Sequence, residues 1–339
     1  MNLAATLLYA LGAIVLLLVL LYQFSLRTTR RIEDALPPAH LFVEADGVRL
    51  HVRDEGEGPV LLLIHGLNGQ LNHFNYGAVR DLARRYRVVA LDRPGAGYSS
   101  RPAGVAADLS TQARTIARLI ERLDLGRPTV VGHSLGGATA LTLALEHPDK
   151  VGALALIAPL THTDGAVPPA FRALTIASPR LRSLFAWTLA VPLGILGSKS
   201  VLKQVFAPET PPRDFATRGG GLLSLRPRQF LAASSDVLAL REHMPRLEAR
   251  YGELETSGIP VHVLFGRGDR LLDWRDNGQA LADKVAGCRL EVVEGGHMLP
   301  VTQPELTARF IEEAATTTRR VGGGPPTLRG HQRSRSAVP

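Results

Sequence analysis

The residues best suited to chemistry in this 339-residue chain are a serine, an aspartate and a histidine, each placed just after a strand-like run. Ser134 lies in Gly132-His133-Ser134-Leu135-Gly136, between the β-branched run Pro128-Thr129-Val130-Val131 and a helix-forming stretch, Ala138 to Leu145. A Gly-x-Ser-x-Gly sequence at such a junction lets the chain reverse sharply and pushes the hydroxyl clear of the backbone. A serine hydroxyl is a weak nucleophile at neutral pH and needs a base, which in turn needs a group to fix its tautomer. Asp269 follows Ile259-Pro260-Val261-His262-Val263-Leu264, and His297 follows Leu290-Glu291-Val292-Val293 behind two glycines that let its loop expose the ring. Asp164 and Asp273 are the alternative acids, and His133 reads as a neighbour pointing away from the hydroxyl. Charge building on a carbonyl oxygen needs backbone amides aimed at it. Leu135 and Leu67, the latter in the loop His65-Gly66-Leu67-Asn68-Gly69, are expected to supply that oxyanion hole.

Positioning those side chains requires a parallel sheet. Strand, acid, helix (Asp273 to Val285), strand and histidine in succession carry both side chains to one sheet edge. Upstream, Leu41–Ala45 and Val48–Arg53 read as an edge hairpin turning on Asp46-Gly47. Strands at Val60–Ile64, Val88–Leu91, Thr129–Val131 and Ala153–Ala158 alternate with helices near Asn75–Arg85, Ser110–Leu123 and Leu135–Glu146, which predicts an α/β fold with a mostly parallel sheet covered on both faces. The proline and glycines of Asp92–Ser99 read as a tight structural turn. After Pro159 the rhythm stops for about a hundred residues, predicted to be a helical cap over the active-site edge and the source of selectivity. Its apolar first half, Phe171 to Leu196, fits packing on itself and on the sheet, an acyl-chain pocket or a surface that dips into a bilayer; the thirteen apolar-leaning residues from Leu184, interrupted by Pro192, read as too short for a second span.

Leu3 to Leu21 contains no charged residue, Pro, Asn or Gln, long enough to cross about 30 Å of hydrocarbon as a transmembrane helix. Arg27, Arg30 and Arg31 all follow it, which favours a single-pass membrane protein with its larger part on the cytoplasmic side. Those three and Arg319, Arg320, Arg329, Arg333 and Arg335 equal the formal net charge of +8. They suit anionic lipid headgroups, and no aromatic-interleaved basic stripe argues for nucleic acid. The single cysteine, Cys288, excludes an internal disulfide and leaves the compartment open. No metal-ligand cluster or phosphate-cradling loop is evident, so no cofactor or metal is expected, nor any obligate protein partner. The expected organisation is anchor 1–26, linker 27–39, first core part 40–159, cap 160–258, second core part 259–317 and disordered basic tail 318–339.

From His40 to Thr316 the chain resembles α/β-hydrolase-fold proteins, a branch that includes esterases, lipases, haloperoxidases, epoxide hydrolases and carbon–carbon bond hydrolases. His65-Gly66 with Gly69, the Asp92–Ser99 turn, the elbow at Ser134, Asp269 and His297 carry the resemblance. It implies the serine, acid, histidine order found here and a membrane-anchored serine hydrolase that cleaves small-molecule carboxylic esters, lipid-like or otherwise apolar in the acyl part, with membrane lipid as its surroundings. A carbon–carbon bond hydrolase or an acyltransferase on the same triad is the alternative. Epoxide hydrolases and dehalogenases need a carboxylate where Ser134 stands. A non-catalytic membrane-tethered binding protein of the same fold is a further alternative, one for which a damaged triad would be expected.

Overall fold

β1 (Leu41–Ala45) and β2 (Val48–Glu55) form the hairpin that Asp46-Gly47 predicts, with both turn residues at positive φ. The computed structural model describes residues 3–163 and 167–321. β3 (Val60–Ile64), β4 (Arg87–Leu91), β5 (Thr129–His133), β6 (Ala153–Ile157), β7 (Val261–Gly266) and β8 (Arg289–Val293) complete an eight-stranded sheet in the order β1-β2-β4-β3-β5-β6-β7-β8. Only β2 runs against its neighbours. β5, β6 and β7 are buried along their whole length, which is why they read as continuous apolar runs rather than alternating ones. Gly132 pairs with Ile64 and Leu156, and Gly266 with Val293, so the loops after β3, β5, β7 and β8 emerge at one edge.

The helices are α1 (Leu3–Ala35), α2 (Ala78–Leu82), α3 (Leu109–Arg122), α4 (Leu135–Glu146), α5 (Pro179–Phe185), α6 (Val191–Phe206), α7 (Pro227–Glu248), α8 (Glu253–Ser257), α9 (Ala280–Lys284), α10 (Leu299–Thr302) and α11 (Pro304–Val321). α3 is capped by the Asp108 carboxylate, which accepts from the amide of Thr111 at 2.8 Å. Along β3, Leu62 and Ile64 join the core under α3 and α4 while Leu61 and Leu63 join the one under α2 and α11. Alternating Cβ directions divide one strand between two layers.

Several segments depart from expectation for local reasons. The helix predicted near Asn75–Arg85 is a 3-10 turn, Leu71–Phe74, followed by α2, because Gly77 at φ 132° breaks the run. The helix expected over Asp273–Val285 runs over residues 275–284, opening as a π turn, Arg275–Gln279, that continues directly into α9. There the Asn277 carboxamide oxygen accepts from the amide of Thr161 at 3.0 Å, and Gly278 packs where a Cβ would lie 2.8 Å from Phe265. Asp164 lies outside the described residues, as does the predicted tail beyond Val321.

α1 is longer than its apolar run. It continues through Arg27, Arg30 and Arg31 to Ala35, so the expected linker begins only there, with Pro37 the first residue that forbids a helix. Its 33 residues measure about 50 Å. Leu3 to Phe24 are largely exposed, whereas Ser25 and Ile32 are buried against the cap. Tyr22 lies 5.9 Å from Trp187, and Glu33 pairs with Arg226 at 3.0 Å.

α5, a π turn over Ala186–Ala190 and α6 form one 28-residue helix, Pro179–Phe206. The helix is longer than the thirteen apolar-leaning residues within it, and by length and composition alone it is enough to cross a membrane: its most apolar 18-residue stretch has a mean hydropathy of 1.4 and is 17% buried. Pro192 does not break it. Proline has no N–H for the carbonyl of Thr188 four residues earlier, and the Ser25 hydroxyl of α1 lies 3.5 Å from that oxygen. Met244, Leu247, Tyr251 and Leu254 at the end of the insertion belong to the main core, which ties the cap to the sheet.

Candidate active site

Ser134 joins β5 to α4 at φ 55°, ψ −122°, a conformation sparsely populated by non-glycine residues. The turn is held from both sides: its amide donates to the carbonyl of Ile157 at 3.0 Å, and its carbonyl accepts from the amide of Leu160 at 3.0 Å. A Cβ on Gly136 would lie 2.2 Å from the carbonyl oxygen of Ile64, so only glycine lets α4 start so close to the sheet. Leu135 is the first residue of α4, its side chain buried in the core.

Asp269 stands in the turn after β7. One carboxylate oxygen accepts from the amides of Leu271 and Leu272 at 2.8 and 3.1 Å. The other lies 2.7 Å from Nδ1 of His297, with the aspartate side chain 1% exposed. Asp273 is turned elsewhere: its carboxylate accepts from the amide of Arg275 at 2.7 Å.

His297 follows β8 in a loop fixed at two further points. The amide of Gly296 donates to Glu209 at 3.2 Å, and the carbonyl of His297 accepts from Nε2 of His133 at 2.9 Å. A carbonyl can only accept, so His133 carries its proton on Nε2, and its Nδ1 is buried without a partner. Burial, reinforced by the neighbouring His297 ring, holds the pKa of His133 well below the usual histidine value. The two rings lie 5.0 Å apart. His133 is thus a support for His297, a contact that its place beside the serine does not reveal.

The loop of Leu67 is gripped from beneath. Arg93, fully buried, donates to the carbonyls of His65 and Gly66 at 3.0 and 3.1 Å and to Asp236 of α7 at 2.9 Å. Its amide donates to Nε2 of His65 at 2.9 Å. Sequence reasoning read this turn as structural; it joins cap, turn and loop, and a charged residue directly after a buried strand was the available signal.

Gly66, Leu67, Asn68, Ser134, Leu135 and His297 line one cavity of about 1220 Å³ between the sheet edge and the cap. The pKa of His73 in its wall is held down to about 4 by burial.

The family model for the alpha/beta hydrolase fold matches residues 59–194, a span that runs from β3 through the elbow into the cap. The chain is an α/β-hydrolase-fold protein. This hydrolase-fold chain is similar along nearly its whole length to an uncharacterised protein of Mycobacterium tuberculosis, at 28% identity over 334 residues, 92% of this chain and 95% of the relative. A solved membrane phospholipase A, described as a bacterial virulence factor, is 26% identical with a TM-score of 0.63, covering 93% of this chain and 97% of its own. The 2-hydroxymuconate semialdehyde hydrolase of Pseudomonas sp. strain CF600 is 36% identical over 115 residues, 33% of this chain and 41% of that enzyme. Relatives of this α/β-hydrolase-fold chain therefore include hydrolases of more than one bond type, and its apolar N-terminal helix is a candidate membrane anchor.

Proposed function

We propose that the protein is a membrane-anchored serine hydrolase that cleaves carboxylic esters with apolar acyl parts, through an acyl-enzyme on Ser134. The observation that carries this reading is the 2.7 Å contact of Asp269 with Nδ1 of His297 on a wall that Ser134 shares. With Nδ1–H donating to Asp269, Nε2 is free to take the proton as the Ser134 oxygen attacks the ester carbonyl. The amides of Leu135 and Leu67 receive the negative charge on the carbonyl oxygen. His297 then returns the proton to the departing alcohol; water, deprotonated by the same ring, releases the acid and restores the serine. α1 acts as the anchor, residues 160–258 act as a selective cap, and the arginines after Phe24 favour the cytoplasmic side for the enzyme.

Ser134→Ala is expected to abolish hydrolysis of p-nitrophenyl esters and labelling by a fluorophosphonate probe. Labelling that persists would mean a different nucleophile. The likeness to 2-hydroxymuconate semialdehyde hydrolase favours one second reading, carbon–carbon bond cleavage on the same residues. Turnover of a vinylogous diketone acid in preference to every ester tried would establish it.

A further inference from the structure

The cavity over Ser134 has two kinds of wall. Leu202, Val205, Phe215 and Met298 line it with hydrocarbon, and Phe215 and Met298 are themselves packed in a buried cluster. Arg172, Arg241 and Arg270 line the same cavity and are exposed to solvent, which places them where it opens. They come from three separate segments: the 3-10 turn Pro169–Thr175, the middle of α7 and the loop directly after Asp269.

Other arginines around the site are already engaged. Arg93 and Arg101 share Asp236, and Arg275 lies 3.9 Å from Asp273 and over the Trp274 ring. Among the described residues, Arg172, Arg241 and Arg270 make no ion pair with a carboxylate. The lining holds four arginines, with Arg275, against the two aspartates Asp273 and Asp276, a formal balance of +2. A cleft of one sign with low-dielectric walls concentrates the field at its opening, and the planar guanidinium matches the oxygens of a phosphate group in pairs.

We propose that this arginine rim selects acyl esters whose alcohol side carries a phosphate head of net negative charge, over esters whose head is neutral overall, with the acyl chain against Leu202, Val205, Phe215 and Met298 and the anionic head between Arg172, Arg241 and Arg270. The inference rests on the ester-hydrolase reading for its chemistry but not for its binding. A phosphate-bearing head can belong to a membrane lipid or to a dissolved ester, and the two are separable by experiment.

The test compares the full-length protein in uncharged detergent with the variant Arg172→Gln/Arg241→Gln/Arg270→Gln and its all-lysine counterpart. The substrates are dissolved dibutanoyl glycerophospholipids with a glycerol head, net negative, or a choline head, net neutral. Wild type is expected to favour the anionic ester by about tenfold in kcat/KM at low salt, a preference that shrinks as salt shortens the screening length. The glutamine variant should bring the ratio within about twofold of unity, while the lysine variant, which keeps the charge and loses the paired geometry, falls between the two. A wild-type ratio of one or less, or a glutamine variant with the wild-type ratio, overturns the proposal. Calorimetry of hexyl phosphate with Ser134→Ala, with and without the three glutamines, reads the rim without turnover; affinity about tenfold weaker with the glutamines is expected. Arginine-dependent binding in a protein that hydrolyses no ester would sink the hydrolase reading and leave the rim standing. Ester hydrolysis with no head preference and no hexyl phosphate binding would do the reverse. A preference repeated on vesicles of dioleoyl phosphatidylglycerol against phosphatidylcholine assigns the rim to lipid headgroups; one confined to dissolved esters assigns it to soluble phosphate esters.

Discussion

At the scale of single residues, the arrangement turns on which nitrogen of which ring holds a proton. Asp269 fixes His297 through Nδ1 at 2.7 Å, so Asp269→Asn should leave the loop in place and yet lower kcat on a p-nitrophenyl ester by about 10³ to 10⁴-fold, because the amide no longer enforces the tautomer. His133 acts one step removed. His133→Phe leaves the carbonyl of His297 buried without its donor, a loss of about 1–3 kcal/mol that calorimetric unfolding should detect together with a lower kcat. Burial holds both His133 and His65 below the usual histidine value, so in the window below pH 6.5 the unfolded chain binds protons that the folded one refuses. Stability contributed by these rings is therefore present above pH 6.5 and is lost as pH falls. The melting temperature should drop from pH 7 to pH 5, less steeply in His133→Phe. Ser134, Asp269 and His297 were legible because each stands in a short turn whose glycines and preceding strand are written locally. His133 and Arg93 were not, since a ring's direction and a guanidinium's reach are set by chain more than 100 residues away.

At the scale of elements, the strands were legible nearly residue for residue, β3 to β7 because burial on both faces leaves an unbroken apolar signature and the β1–β2 hairpin because of its Asp46-Gly47 turn. Two helices at the sheet edge were legible only in part. Gly77 cut one short, and the partnership of Asn277 with Thr161 reshaped another, both effects of what the segment meets rather than of its own propensity. The cap is joined to the loops beneath it by Asp236, which receives Arg93 at 2.9 Å and Arg101 at 2.5 Å. Asp236→Ala would strand buried cations, a loss of about 3–5 kcal/mol. Thermal unfolding should show it. A double change with Arg93→Met should recover part of that loss, and additive losses would mean the pair is uncoupled.

At the scale of the whole molecule, the apolar run of the candidate anchor was plain in composition, whereas the docking of α1 on the cap was not, since Ser25 and Glu33 find partners far along the chain and Ile32 is buried there. A chain beginning at Arg27 keeps Ile32 buried and Glu33 on Arg226, and should still turn over dissolved esters. One beginning at Pro38 loses both contacts and should melt several degrees lower, on the order of 2–3 kcal/mol from the isoleucine alone. A reporter active only outside the cytoplasm, fused after Pro339, should stay dark on the cytoplasmic reading. On the anchored reading, α1 runs without a joint from hydrocarbon to enzyme, which makes it a stilt rather than a leash. From Ser25 to Ala35 the stilt stands about 17 Å tall. Splicing in one extra helical turn would lift the catalytic mouth by about 5.4 Å and strip the cap of its brace at the same stroke.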